Sequence, residues 1–537
     1  MAPLMLAAFV PLDWLVLSSY LLLLIATSWW LSRREQHDTT DYFLAGRRIP
    51  AWAAAFSVMA TSISATTFVG APGIAYGGNL AYLSSFIGTM LAAVIVALVF
   101  IPVFYKHNVA TVYSFLEIRF GPSAKRTASA MFMVGRVFAS GARLYIGALA
   151  AAFLFFNETA PGYVTLAILA VTLVGIVYTF AGGIEAVVWA DVIQSFVFIS
   201  AAVFSIFLLL YLIPAGIPEI WTTLAETTAG TGESKLTLIS FSLDFSQPYT
   251  LLAAVFGFTL IGIGAYGTDQ DLTQRMLTCR NAAQGARSAL AGIFMTVPVA
   301  FLFLIVGLLL FVFYQQGDVA APEDGREVFL DFIVHHIPAG IAGLMMAGLF
   351  AAALSSLNSE LNAMSSTLIN DFYRTYKPDR SEAHYLLMGR MGIVFWGVAL
   401  GAFAILCAYW QHASEIPLID FALGIMMFAY SGLVAVFLTA LLTNRGSTTS
   451  VLAALAVGFL AILTFQVEPW IWFNAEVDLA FPWQMTIATT AAFLVCCLGN
   501  TPAPIAPPTA DGAAAVASAA GSRDSLEHIE TAQVQRK

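Results

Sequence analysis

The chain has 537 residues, of which 59% are hydrophobic and only 10% charged, with a mean hydropathy of +0.83. Soluble globular domains carry about 25% charged residues, so this composition excludes an ordinary water-soluble protein and points to many membrane-spanning helices. The net charge of −9 comes with no basic face for nucleic acid, and Cys279, Cys407, Cys496 and Cys497 lack the spacing of a disulfide framework or a zinc site.

A helix needs about 20 apolar residues to cross the bilayer core. In chain order the apolar runs predict spans near 13–32, 52–75, 80–105, 127–156, 162–181, 185–213 and 250–273. Six more follow near 285–315, 341–372, 386–409, 417–443, 449–467 and 480–499, thirteen in all. The first run is long, is followed by Arg33 and Arg34, and shows no small-residue cleavage site, so it reads as a retained helix rather than a signal peptide. With the N-terminus outside, 19 of the 23 Lys and Arg residues fall on the inner side, only Lys235 and Arg326 fall outside, and Arg136 and Arg143 fall within a span. That asymmetry predicts N-terminus out and C-terminus in. The predicted organisation is a first helix and inner loop (1–50), a first group of five spans (51–213), an outer loop (214–249), a second group of five (250–445), two further spans (446–500) and a disordered inner tail (501–537).

Several spans are poor plain anchors. In 52–75, Ser and Thr crowd the middle and Gly70, Pro72 and Gly73 interrupt the outer half. In 250–275, Gly257, Gly262, Gly264 and Gly267 precede Asp269, Gln270 and Asp271. Taken singly, such residues only let helices pack closely. Two interrupted helices five spans apart and of opposite direction instead point to an inverted-repeat transporter with its site at the midplane. In 341–372, Ala352, Ser355, Ser356 and Ser359 follow i, i+3, i+4, i+7 and share one helix face; hydroxyls and free carbonyls are oxygen ligands suited to an alkali cation, and the alternative is Ser-rich packing. Asp191 sits about a turn and a half into the sixth span, where a carboxylate is costly and faces a site or a cavity. Arg136 and Arg143, seven residues apart in the fourth span, need an acidic partner, carbonyls or an anionic ligand.

The segments DYFLAGRRIPAW, ATSISATTFVGAPGIAY, YTFAGGIEAVVWADVIQ, YGTDQDLTQR and ALSSLNSELNAMSSTLINDFY, in that order, resemble the sodium:solute symporter family over roughly residues 13–500. The resemblance implies an all-α membrane fold of about 13 transmembrane helices with a five-plus-five inverted repeat and broken helices. It also implies sodium-driven alternating access with Na+ as the coupling ion. It places the family's common sodium site at the carbonyls of Ala60, Ile63 and Ala352 with the hydroxyls of Ser355 and Ser356. A second sodium site, found in some members, corresponds to Asp191, Ser355, Asn358 and Ser359; such members tend to carry Ser or Thr where this chain has Asn358. Ser64, Thr67, Tyr82, Phe86, Tyr266 and Gln270 fall at family pocket positions. Arg143, with Arg136 on the same face, flanks the place where sialic acid carriers hold a substrate carboxylate.

The resulting expectation is a multi-pass cell-membrane symporter that imports a small organic solute bearing a carboxylate, with a sugar or polyol as the alternative solute. An ion channel lacks a repeated filter loop here, and a membrane enzyme lacks a metal cluster or a paired nucleophile and base. The expected partners are the solute, sodium and the lipid bilayer, with no nucleic acid.

Overall fold

The structure, a computed structural model, describes residues 10–32, 38–156, 158–230, 232–316, 322, 325, 327–338, 340–411, 418–466 and 479–500. The regular structure of those residues is helical, with no strand and only isolated bridge pairs such as Thr228 with Ser234. The first half runs α1 (Pro11–Ser32), α2 (Thr39–Leu44), α3 (Ala51–Ser62), α4 (Ala65–Gly77), α5 (Ala81–Lys106), α6 (Tyr113–Phe120), α7 (Pro122–Phe156), α8 (Pro161–Phe180), α9 (Gly182–Leu212) and α10 (Ile217–Glu226). The second runs α11 (Leu251–Thr268), α12 (Gln270–Leu277), α13 (Ala282–Gln316), α14 (Val328–His336), α15 (Ile341–Tyr376), α16 (Glu382–Trp410), α17 (Leu418–Leu442), α18 (Thr448–Gln466) and α19 (Phe481–Cys497). Each of the thirteen apolar segments overlaps at least one of these helices. Among the described residues nine helices are long and apolar enough to cross a membrane, or ten with the bent pair α3–α4 taken as one span. The predicted tail 501–537 and Arg326 lie outside the described residues.

The interruption of segment 52–75 lies earlier than Gly70, Pro72 and Gly73. It falls at Ile63 (φ −89°, ψ 93°) and Ser64 (φ −93°, ψ 176°), where the axis bends by 58°. Two extended residues end the hydrogen-bond ladder, and the last carbonyls of α3 lose their intrahelical partners. Pro72 stays inside α4, because neighbouring helices shield the irregular backbone around a membrane proline. Here α13 does so: a Cβ on Gly307 would stand 2.2 Å from the Pro72 carbonyl oxygen, so the two backbones touch.

The second interruption is at Asp269 (φ −92°, ψ 126°), whose carboxylate accepts from the Asp271 amide at 2.9 Å and starts α12. Gly257, Gly264 and Gly267 lie in two π-helical turns of α11, Ala254–Phe258 and Gly264–Thr268, which are frequent at functional sites. At the start of α9, Gly183 takes φ +60°, and a Cβ there would meet the Tyr42 carbonyl at 2.8 Å. Tyr42 Oη in turn donates to the carbonyls of Thr179 and Phe180 at 3.2 and 3.3 Å, so α2 caps the end of α8.

Outside these elements, Asp13 on α1 reaches the start of α15. Its Oδ1 accepts from the amides of Gly340 and Gly343 at 2.7 and 2.8 Å, while Oδ2 accepts from Val10 at 3.1 Å.

Candidate ion and solute site

The serine face of α15 lies against the break between α3 and α4. Ser356 Oγ stands 3.4 Å from the carbonyl oxygens of both Thr61 and Ala352, and Ser359 Oγ is 3.4 Å from Thr61 Oγ1. Ala60, Ile63, Ala352, Ser355 and Ser356 are all buried. Ser356 therefore stands beside the Thr61 carbonyl that precedes the break at Ile63 and Ser64, a hydroxyl and a carbonyl of the oxygen type that hard cations take.

Asp191, on α9, is held from three sides. Ser355 Oγ donates to its Oδ1 at 2.5 Å, Ser57 Oγ donates to Oδ2, and the Arg275 guanidinium approaches Oδ2 at 3.6 Å. Arg275, fully buried on α12, also donates to Ser57 Oγ at 2.9 Å and to Ser359 Oγ. Asn358 faces elsewhere, its Oδ1 accepting from Thr179 Oγ1 at 3.1 Å. Asp191, Ser355 and Ser359 thus converge with a guanidinium among them.

A chain of buried charges continues from there. Arg275 Nη1 meets Asp271 Oδ1 at 2.9 Å. Arg136 contacts Asp269 at 2.7 Å, Asp271 at 3.2 Å and Glu360 at 3.1 Å. Arg143 lies 3.6 Å from the same Glu360 oxygen and directs a second N–H at Met426 Sδ, 3.0 Å away. Tyr430 Oη donates to Asp269 at 2.7 Å. Taking six of these charges out of water, with Arg143 only partly buried, is tolerable only because each is paired.

Between α4, α7 and α15 lies a cavity of ≈ 10 Å³, room for about one water. Ser64, Ser140, Arg143, Ser356 and Glu360 line it together with Ala65, Leu144, Ala353 and Leu357. Thr67 is buried one turn beyond Ser64 on α4. Tyr266 Oη lies 3.0 Å from Ser62 Oγ. Tyr82 and Phe86 form a separate aromatic group: their rings pack edge to face at 5.7 Å, and Tyr82 meets Tyr249 at 5.2 Å. Gln270 bridges to the segment before α6, accepting from the Val112 amide at 2.9 Å and donating to Ala110 O at 3.3 Å. The structure thus gathers Ser64, Arg143 and Ser356 around one cavity, ties Arg136 to it through Glu360, and puts Gln270 in a network of its own.

Three participants escaped the sequence reading: Glu360, Arg275 and Ser57. Glu360 had a legible signal, since it follows Ser356 by four residues and so shares its face. Arg275 and Ser57 had none, because their partners lie on other helices.

Residues 42–458 match the model of the sodium:solute symporter family. The sodium/sialic acid symporter NanT of Aliivibrio fischeri is 29% identical over 497 residues, covering 91% of this chain and 92% of that one. The sodium/sialic acid symporter SiaT of Proteus mirabilis is also 29% identical, over 84% of this chain and 89% of its own. Among solved structures, the substrate-bound outward-open state of a Na+-coupled sialic acid symporter superposes with a TM-score of 0.78 at 27% identity, over 91% of this chain and 97% of that chain.

Proposed function

This chain belongs to the sodium:solute symporter family, and from that premise we propose that it imports a small carboxylate-bearing solute, of the sialic acid or monocarboxylate kind, across the cell membrane by alternating access. Sodium is the coupling ion, and at a membrane potential of 100 mV each ion moved contributes about 2.3 kcal/mol. We assign the coupling site to the carbonyls of Ala60, Ile63 and Ala352 with the hydroxyls of Ser355 and Ser356. A second sodium is assigned to Asp191, Ser355, Asn358 and Ser359, and its entry requires Arg275 to withdraw from Ser359 and the Asn358 amide to turn from Thr179. The solute carboxylate is assigned to Arg143, with Ser64, Thr67, Tyr266, Tyr82 and Phe86 around the solute. Arg136 and Gln270 hold the elements that bear the site. The thirteen-span, five-plus-five inverted repeat, with N-terminus out and C-terminus in, belongs to this same proposal.

One observation carries the reading: the cavity lined by Arg143 is also lined by Ser356, a hydroxyl assigned to the sodium site. Ion and solute would therefore share a wall, which is the physical requirement for coupling their binding. The test is uptake of labelled N-acetylneuraminate by proteoliposomes with an inward sodium gradient against one of potassium. Accumulation only with sodium supports the reading, and sodium-driven uptake of neutral sugars in preference to any acid overturns the carboxylate assignment. A sugar or polyol is favoured by a different observation. Arg143 already has Glu360 at 3.6 Å, so an uncharged solute would leave its charge balanced.

A further inference from the structure

Lys235 lies in the segment between α10 and α11, yet only 2% of it is exposed. Its ammonium donates to three carbonyls at the end of α4: Tyr76 O at 2.7 Å, Gly78 O at 3.0 Å and Ala75 O at 3.4 Å. It also rests 4.0 Å above the ring of Phe311 on α13. A cation here meets the negative end of the helix dipole and the last carbonyls of α4, which have no intrahelical donors. The aromatic face adds a cation–π contact strengthened by burial. Tyr76 packs against Phe311 and Tyr314 of α13 at 6.1 and 6.3 Å, so Lys235 sits where α4, α13 and the outer segment meet.

The charged and titratable groups around this seam are otherwise engaged. Tyr314 Oη donates to Asp331 at 2.6 Å, the His336 ring packs against Tyr314 at 6.1 Å, and Glu233 accepts from Ser240 Oγ at 2.7 Å. Among the described residues, carbonyls and a ring hold the Lys235 ammonium, and no carboxylate forms an ion pair with it. Burial pushes the group down from its ordinary value to about 8.

Helix α4 is fixed differently at its two ends. It begins at the Ile63–Ser64 break, where two extended residues separate it from α3, and it ends in the grip of Lys235. The tilt of a thirteen-residue rod hinged at one end is set by its contact with α13 at Pro72 and Gly307 together with whatever holds its far end. We propose that Lys235 is a positioning residue of the sodium site: by anchoring the far end of α4 it fixes the break that presents the Ile63 and Ala60 carbonyls to the cation. This rests on the sodium assignment above.

The experiment uses the purified full-length chain and sodium alone as the probe, by thermal-shift titration of NaCl against choline chloride at constant ionic strength. Lys235→Met keeps most of the stem and removes the donor, whereas Lys235→Arg keeps charge and donors. Lys235→Met is expected to raise the sodium concentration for half-maximal stabilisation about fivefold, a modest coupling between separated sites, and Lys235→Arg to restore it to within about twofold. A purely structural role would lower the melting temperature without sodium and leave half-saturation where it was. Wild-type half-saturation in Lys235→Met, or equal loss in Lys235→Arg, overturns the proposal. Ser355→Ala separates the two levels. If Ser355→Ala loses the sodium response and Lys235→Met keeps it, the site stands and the positioning role falls. If the wild type shows no sodium response, both fall.

Discussion

Ser356 Oγ lies within 3.4 Å of two carbonyl oxygens from different helices, so it can give a cation an oxygen without moving a backbone. Ser355 is less free, since its hydroxyl already donates to Asp191 at 2.5 Å. Ser356→Ala should raise the sodium concentration for half-maximal uptake with little loss of stability. Ser355→Ala should raise it too and also lower the melting temperature, because it strips a buried carboxylate of one donor. Arg143→Lys should weaken the affinity for a carboxylate solute by about 2 kcal/mol, roughly thirtyfold, because an ammonium cannot reproduce the forked pair of N–H donors. Competition binding at saturating sodium measures this, and unaltered affinity would make Arg143 only an ion-pair partner of Glu360. At this scale the sequence is half legible. The i, i+3, i+4, i+7 spacing by itself puts the α15 serines on one face. What spacing cannot supply is the carboxylate 224 residues from Arg136 that meets it, because pairing across helices depends on packing.

Helices α4 and α13 meet backbone to backbone at Pro72 and Gly307, which makes that crossing intolerant of even a methyl group. Gly307→Ala should cost about 1–3 kcal/mol, the usual penalty for overpacking a tight contact. Gly77→Ala, where a Cβ would find nothing within 4 Å, serves as the control, and paired thermal melts compare them. The Lys235 anchor gives the element a pH signature. Its amine titrates near 8 in the folded chain and near 10.4 when unfolded. Between those values the unfolded state binds more protons, so folding stability should rise as pH rises from about 8 to about 10.5. Below 8 both states are charged and the effect is absent. The wild type should gain melting temperature relative to Lys235→Arg across that window, and parallel curves would remove Lys235 as the cause. The existence of these helices is readable from apolar length, and so is the fact that two are broken. The position of the first break is not: Pro and Gly mark it at 70–73, whereas the extended residues are Ile63 and Ser64. Glycine and proline signal irregularity reliably only where water is the alternative partner, and here α13 covers the proline.

Across the whole molecule, the buried network holds the carboxylates of Asp191, Asp269, Asp271 and Glu360 against the guanidinium groups of Arg136, Arg143 and Arg275. Its formal charge is one negative unit, so a single sodium neutralises it. An uncharged solute then travels with one sodium, whereas a monoanion needs a second cation to keep the enclosed site neutral. Measured with a carboxylate solute, the wild type should carry two sodium ions per turnover and Asp191→Asn fewer, with a less sigmoidal sodium dependence. One sodium per carboxylate in the wild type would overturn the second-site assignment of Asp191, Asn358 and Ser359. Composition alone reveals a polytopic membrane protein, and the ordered motifs its family; the charge balance emerges only when seven side chains from α7, α9, α12, α15 and the Asp269 break are taken together.

The tie from Asp13 to Gly340 and Gly343 also has a consequence in time. Its two sides are separated by 327 residues of chain, and at 5–20 residues per second synthesis takes on the order of half a minute to deliver the second after the first. Through that interval α1 must wait without the Gly340 and Gly343 amides, while the Val10 amide is close by in sequence. The arrival of α15, which carries the serines assigned to sodium, is what releases α1 from waiting. Asp13→Ala should therefore show its defect in the yield of assembled protein per ribosome pass, while each molecule that does assemble turns over at close to the normal rate.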